Sequence, residues 1–262
     1  MIIISEPYGD HSNRLFQAVH YEAYCLDRGI GFMNVTFEDM TRHYPALKSG
    51  MSSRAASQAV KLLVKSRLAV TRKDLKVKAD LDQAHTKRLT FVGGFDFRVH
   101  DLTEKYQDYF IEKYSIAKSM VENNMLTREI AKWKSAGIAV VGVHLRRGDY
   151  QRFKGGKYFY SDSVYERIML SIEKLTSKGG GLTKFVLFSN ENFSIAPGGN
   201  LDYTFSRNDW LTDHHLMSQC DYLVGPPSTF TLWASYIGKV PFHHIYDPKV
   251  AIDMSSFRCC TG

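Results

Sequence analysis

Apolar residues come in short, punctuated runs along this chain. Residues 1–5 read as a strand, and Pro7, Gly9, Asp10, His11 and Ser12 form a loop before a helix beginning near Asn13. Leu15, Phe16, Val19, Ala23 and Leu26 recur at helical spacing, and Gly29 and Gly31 close that helix. Residues 30–37 predict a second strand. The chain thus opens as strand, helix, strand, the start of a Rossmann-like half. A short strand over 89–92 leads into Gly93-Gly94. Tyr106, Tyr109, Phe110 and Tyr114 then form a helical stripe whose ordinary role is core packing.

A linker is expected within 122–137, dividing the chain into domains 1–125 and 126–262. The second half alternates again: strand 138–144, loop 145–160, helix 161–175, a Gly179-Gly180-Gly181 turn and strand 185–188. A polar tip of Ser189, Asn190, Glu191 and Asn192 follows. Next come a strand at 202–205, a helix over 213–220, a strand over 222–224 and a helix through Tyr236. This alternation predicts an α/β protein with parallel sheets. No internal repeat interrupts it.

Composition narrows the picture modestly. With 262 residues, 44% hydrophobic and 23% charged, the chain suits one large or two small globular domains. Its net charge of +7 favours an anionic ligand without choosing among nucleic acid, sugar nucleotide and acidic membrane. No apolar run of about 18 residues predicts a membrane span. Residues 1–5 are too short for a signal peptide, with Glu6 and Asp10 close behind. Cys25, Cys220, Cys259 and Cys260 lack zinc-site spacing and suit a reducing compartment. Cys259-Cys260 falls in a tail expected to fray. The most basic stretch, 61–78, reads as a solvated helix face or surface loop, with an acidic acceptor or membrane surface as the alternative partner. It has no interleaved aromatics for stacking nucleic-acid bases.

Chemistry concentrates at 141–150, VGVHLRRGDY. An apolar strand runs straight into His144, Arg146, Arg147, Gly148 and Asp149. Ligands bind at the carboxyl ends of strands in open α/β sheets, and guanidinium forks suit phosphate oxygens. A solvated turn in which Asp149 pairs with an arginine is the plain alternative. Ser228 and Thr229 stand where a helix begins, able to cap it or to share its amides with an anion. Asp213 reads as an early helix residue favoured by the helix dipole. His214 and His215, being adjacent, point to different faces and make a poor chelate. Asp80-Leu81-Asp82 lies in a basic helical stretch and reads as surface, so no metal site is expected.

The HxRRxD pattern of His144, Arg146, Arg147 and Asp149 resembles the signature of fucosyltransferases that use GDP-fucose. These include the α-1,2, core α-1,6 and rhizobial nodulation enzymes and, more distantly, protein O-fucosyltransferases. The segment 213–229, DHHLMSQCDYLVGPPST, is similar to a second block of the core α-1,6 enzymes. Ser228 to Trp233 resembles the Ser-Phe-Ser-Trp-Trp ending of bacterial α-1,2 enzymes, with Leu232 replacing one tryptophan. Asn13-Arg14-Leu15-Phe16-Gln17 looks like an N-terminal Gly-Asn-Gln-Met-Phe-Gln, although Ser12 stands where the family has glycine. Gly94-Phe95-Asp96 and Phe188-Ser189-Asn190-Glu191 echo two shorter segments.

The resemblance implies a GT-B-like fold, two Rossmann-like halves with a cleft between them. It implies metal-independent, inverting transfer of fucose from GDP-fucose to a glycan hydroxyl, with an α-1,2 linkage. Arg146 would be the catalytic group, stabilising the departing GDP. His144, Arg147, Asp149, Asp213, Ser228, Thr229 and Phe230 would form the donor site, Arg147 and Asp149 by fixing the loop. Asn13, Arg14 and Gln17 would line the sugar or acceptor side. Glu6 and Asp10 are candidates for the general base. No cofactor is expected, and the partners are a nucleotide sugar and a glycan, not nucleic acid. The animal Golgi anchor is missing, which suggests a cytoplasmic bacterial or viral protein or a soluble domain of a larger one. Another donor such as GDP-rhamnose, or sugar-nucleotide or glycan binding without transfer, are the alternatives.

Overall fold

The computed structural model describes residues 1–49, 54–85, 88–177, 180–189, 191 and 201–262. The expected tip residues Asn190 and Asn192, and Gly179 of the glycine turn, lie outside them. The chain divides into two units, 1–117 with 261–262, and 118–260. The division falls at Ala117 and Lys118 rather than at 125/126. The stretch read as a linker holds a helix whose Leu126 and Ile130 belong to the core of the second unit.

Unit 1 contains β1 (Ile2–Ile4), α1 (His11–Arg28), β2 (Phe32–Asn34), α2 (Arg54–Lys65), β3 (Thr71–Arg72), α3 (Lys78–Ala84), β4 (Thr90–Val92), α4 (His100–Lys105) and α5 (Gln107–Lys113). Its four strands are parallel in the order β2-β1-β4-β3. Strand β3 was not expected, because two polar edge residues give no apolar signal. In the aromatic stripe only Phe110 and Tyr114 are buried; Tyr109 is exposed, and the helix breaks at Tyr106. Asp80 caps α3 through the amides of Lys76 and Val77, and Asp82 accepts from Tyr24 and Arg28. Both carboxylates thus hold hydrogen bonds within unit 1.

Unit 2 contains α6 (Met125–Ser135), β5 (Ala139–His144), α7 (Asp162–Thr176), β6 (Thr183–Phe188), β7 (Tyr203–Phe205), α8 (Trp210–Ser218), β8 (Tyr222–Gly225), α9 (Thr229–Gly238) and β9 (Phe242–His244). All five strands are parallel, in the order β7-β6-β5-β8-β9. This is the 3-2-1-4-5 order of a Rossmann half, with the order of strand addition reversing between β5 and β8. Both faces are covered. Val141, Val143, Phe185 and Leu187 pack with α7, while Val140, Val186, Phe188 and Leu223 pack with α6, α8 and α9. Two-sided burial explains why these strands read as continuous apolar runs, each large side chain contributing about 1.5–3 kcal/mol.

Two expectations change. Strand β9 closes the sheet where none was read. The terminal segment is held rather than frayed: Arg258 exchanges backbone bonds with Phe242, and Cys260 N donates to Ser235 Oγ at 3.1 Å. Among the described residues no helix is long and apolar enough to cross a membrane.

Candidate active site

The carboxyl edge of the unit 2 sheet brings the sequence candidates together. Strand β5 ends at buried His144, whose Nδ1 lies 2.6 Å from the hydroxyl of fully buried Thr231 in α9. Burial, with Arg146 nearby, pushes the His144 pKa down to about 3, so the imidazole is neutral. Strand β8 ends at Gly225, where an added Cβ would stand 3.0 Å from the Cβ and the carbonyl oxygen of His144. Glycine therefore allows the two strand ends to close together. Tyr150 donates from its hydroxyl to Pro227 O at 2.5 Å, bonding the loop after β5 to the loop after β8.

The two arginines part ways. Arg147 is 7% exposed and donates to Tyr160 O at 2.5 Å. It pairs with Asp162 at the start of α7, and its guanidinium lies 5.4 and 5.6 Å from the ring centroids of Phe159 and Tyr165. Its fork is spent on the loop after β5. Arg146 is 36% exposed, pairs with Asp149 at 3.0 Å and lies 5.0 Å from the Tyr150 ring centroid. Its Nε is buried with no hydrogen-bond partner among the described residues. Asp149 is therefore the counter-ion of Arg146. An ionised carboxylate only accepts hydrogen bonds and repels phosphate, so Asp149 orients the arginine rather than touching an anion.

Arg146 lines a cavity of about 210 Å³ with His144, Leu145, Phe188, Asp213 and Phe230. That volume falls below the roughly 300–1,000 Å³ of drug-sized sites. It suits one planar portion of a larger ligand. Phe230 stacks on His214 with centroids 3.8 Å apart and tilts against His144 at 5.4 Å. Trp210 meets His214 edge-on at 6.0 Å. His214 thus belongs to an aromatic wall. Asp213 accepts from Ser206 Oγ, and burial pushes its pKa up to about 6. Asp209 caps α8 by accepting from Leu211 N and Thr212 N at 3.0 and 2.8 Å. Ser189, Asn208 and Trp210 also line the cavity and were missed. Each lies beyond the carboxyl end of β6 or β7, where the strand-end rule points.

At α9, Ser228 takes the cap position and its Oγ accepts from Phe230 N at 3.3 Å. Thr229 is the first helical residue. The cap leaves other first-turn amides unsatisfied within the helix, at the positive end of its dipole.

The unit 1 candidates cluster on the first turns of α1. Gln17 is buried and donates to Glu6 O at 3.2 Å and to Gly94 O at 2.7 Å, tying the loop after β1 to the loop after β4. Gly94 has φ +75° and would bring a Cβ 2.9 Å from Lys73 O, so no other residue fits there without strain. Arg14 forks onto Asp39 at 2.6 and 2.8 Å and also donates to Thr36 O. Thr36, Glu38, Asp39, Ser5 and Lys61 line a cavity of about 410 Å³. Asn13 is half-buried beside Gly9. Glu6 pairs with Lys73, and exposed Asp10 occupies the α1 cap position without a side-chain cap bond. Neither Glu6 nor Asp10 lines that cavity. Glu38 and Asp39 do, and they were missed although they follow β2 as Glu6 follows β1. A wider cavity of about 520 Å³, bounded by α1, β2 and α5, contains none of the expected site residues.

A switch point bearing an arginine loop and a capped helix start, in a chain with a second parallel α/β unit, defines a GT-B-like glycosyltransferase. The chain belongs to glycosyl transferase family 11, whose model matches residues 87–240, more than half of its length. Among solved structures it is similar to a mutant of FUT1 from Arabidopsis thaliana in complex with GDP. That match has a TM-score of 0.60 and 13% identity, covering 98% of this chain and 73% of the other. It is similar also to the fucosyltransferase NodZ from Bradyrhizobium, with a TM-score of 0.54 and 14% identity over 95% and 96% of the two chains. A NodZ α-1,6-fucosyltransferase soaked with GDP-fucose matches at 0.50 and 14% identity, over 98% and 96%. These matches bear out the resemblance to fucosyltransferases. No curated protein matches the chain.

Proposed function

We propose that this glycosyltransferase moves fucose from GDP-fucose to a glycan hydroxyl, without a metal and with inversion, forming an α-1,2 linkage. The observation that carries the reading is the convergence of Arg146 and the amide-bearing start of α9 on one switch point, between the ends of β5 and β8. Breaking a glycosyl–phosphate bond needs the developing charge on the diphosphate met at once. A guanidinium and helix-terminal amides held in place supply this electrostatically. Arg146 takes the β-phosphate, with Ser228 and Thr229 on neighbouring oxygens. The linkage rests on the likeness of Ser228 to Trp233 to bacterial α-1,2 enzymes.

Guanine fits the cavity's chemistry. Its ring suits the Phe230 wall, and its N1–H and amino group suit the two oxygens of Asp213, with neutral His144 beside them. In unit 1, Gln17 holds the strand-end loops and Arg14 shapes the 410 Å³ cavity as the acceptor side. Of the carboxylates available as general base, Arg14 holds Asp39 below the usual range, which weakens it. Glu38 is the stronger candidate from the same cavity. A non-transferring sugar-nucleotide binder would bind GDP without turnover.

Calorimetry with GDP, UDP and GDP-fucose, run with and without EDTA, tests the donor assignment. GDP-selective, EDTA-insensitive binding and release of GDP on adding a glycan acceptor are expected. Preference for UDP would overturn the donor, and loss of activity in EDTA would overturn metal independence.

A pH dependence follows from Asp213. Its carboxylate, needed to accept guanine N–H groups, is lost as pH falls through about 6. GDP affinity should therefore drop between pH 7 and pH 5, and Asp213→Asn should bind weakly at both. The stability linkage has the opposite sense. A carboxyl whose folded pKa is raised contributes stability fully present below about 3.8 and lost as pH rises through about 6. A denaturation series that shows no extra acid-side stability relative to Asp213→Asn would count against burial of the charge.

A further inference from the structure

Helix α2 and the turn after it carry a surface that the donor site leaves unexplained. From Arg54 to Lys73 the chain holds six cations, Arg54, Lys61, Lys65, Arg67, Arg72 and Lys73, and no acidic residue. Ser57, Val60 and Val64 recur at helical spacing on the inner face, where Val60 and Val64 pack with Ile3, Val35 and Phe91. Leu62 and Leu63 stay outside, 68% and 36% exposed. Past the helix, Arg67 takes the left-handed conformation at φ 61° and the chain turns. Leu68 and Val70 follow at 80% and 73% exposure. Scattered exposed leucines are ordinary, but four aliphatic side chains within 62–70 are not. Arg72 and Lys73 pair with Asp74 and Glu6, whereas Lys61, Lys65 and Arg67 have no ion-pair partner among the described residues.

We propose that residues 61–70 dock the protein onto an anionic lipid surface. The exposed aliphatics enter the headgroup–acyl boundary while Lys65 and Arg67 meet lipid phosphates, the two attractions that hold interfacial helices. Charge complementarity selects this occupant. A second copy of the chain would set like charges against like. A nucleic acid would leave the aliphatics in water and find no aromatic to stack on. This inference does not rest on the donor assignment.

Co-sedimentation with phosphatidylcholine vesicles, with and without phosphatidylglycerol, tests it on the full chain. Binding is expected only to vesicles containing phosphatidylglycerol. The doubles Leu68→Ser/Val70→Ser and Lys65→Glu/Arg67→Glu should each lower partitioning roughly ten-fold, with GDP binding and melting unchanged. No binding of the wild type, equal binding to plain phosphatidylcholine, or full binding by the serine double would overturn the proposal. Should a double melt early, brominated acyl chains should quench Leu68→Trp beyond the wild type. Absence of that quenching would overturn insertion independently of the doubles.

Discussion

Arg146→Ala should lower turnover roughly 100-fold or more, the usual cost of removing one preorganised donor from a developing negative charge. The guanidinium is partly exposed, and its ion pair with Asp149 spans one short loop, so the fold should survive. GDP affinity should fall roughly ten-fold, about 1.4 kcal/mol. Most of the loss should appear in kcat, because the charge on the leaving diphosphate peaks as the bond breaks. Arg146→Lys should recover only part of it, since an ammonium keeps the charge but loses the planar fork. Steady-state kinetics of GDP release checks all three values. Wild-type turnover in Arg146→Ala would remove the residue from the chemistry and the Arg146 cavity from the donor site.

Arg147→Ala, one residue on, should fail in a different way. Arg147 is buried, bonded to Tyr160 O, paired with Asp162 and flanked by Phe159 and Tyr165. Its removal leaves Tyr160 O without its donor, while Asp162, about a third exposed, regains water, so the cost is about 1.5–3 kcal/mol, that of hydrogen bonds to a charged group. Urea denaturation should show a loss of that size, with much lower yield of folded protein. Arg147→Lys should recover little, because an ammonium cannot reach the carbonyl and the carboxylate in the same fork. A fully stable Arg147→Ala that has lost GDP binding would reverse the roles given to the two arginines. Two adjacent residues of one type should thus separate cleanly, one in kcat and one in stability.

Much of the architecture was legible because its signals are local. The apolar run 138–143, the helical spacing of Leu15 to Leu26 and the Ser228 cap each depend on neighbours in sequence. The strand-end rule then pointed to His144 and Arg146, and the likeness of 213–229 to a family block pointed to Asp213; the three meet at one cavity. Elements with little apolar signal were lost: β3 is two polar residues, and β9 is one phenylalanine followed by two histidines. Helix α8 was begun at Asp213, yet the cap is Asp209. An early acidic residue and a capping one look alike until the backbone direction is known.

The amino-acid order by itself determined the alternation of strands and helices, and it placed charged loops after apolar strands. Burial periodicity and capping chemistry are written in neighbouring residues. Only the tertiary structure decided that β5 and β8 are neighbours, although Val143 and its register partner Val224 lie 81 positions apart in the chain.

 Sequence spacing cannot report such a pairing, because it comes from sheet order and not from neighbours along the chain. The same holds for the two arginines. Which one reaches the cavity and which one anchors α7 was set by the packing of Tyr160, Asp162 and Tyr165 around Arg147. A side chain's partners come from the whole fold, whereas its chemical type comes from the sequence alone.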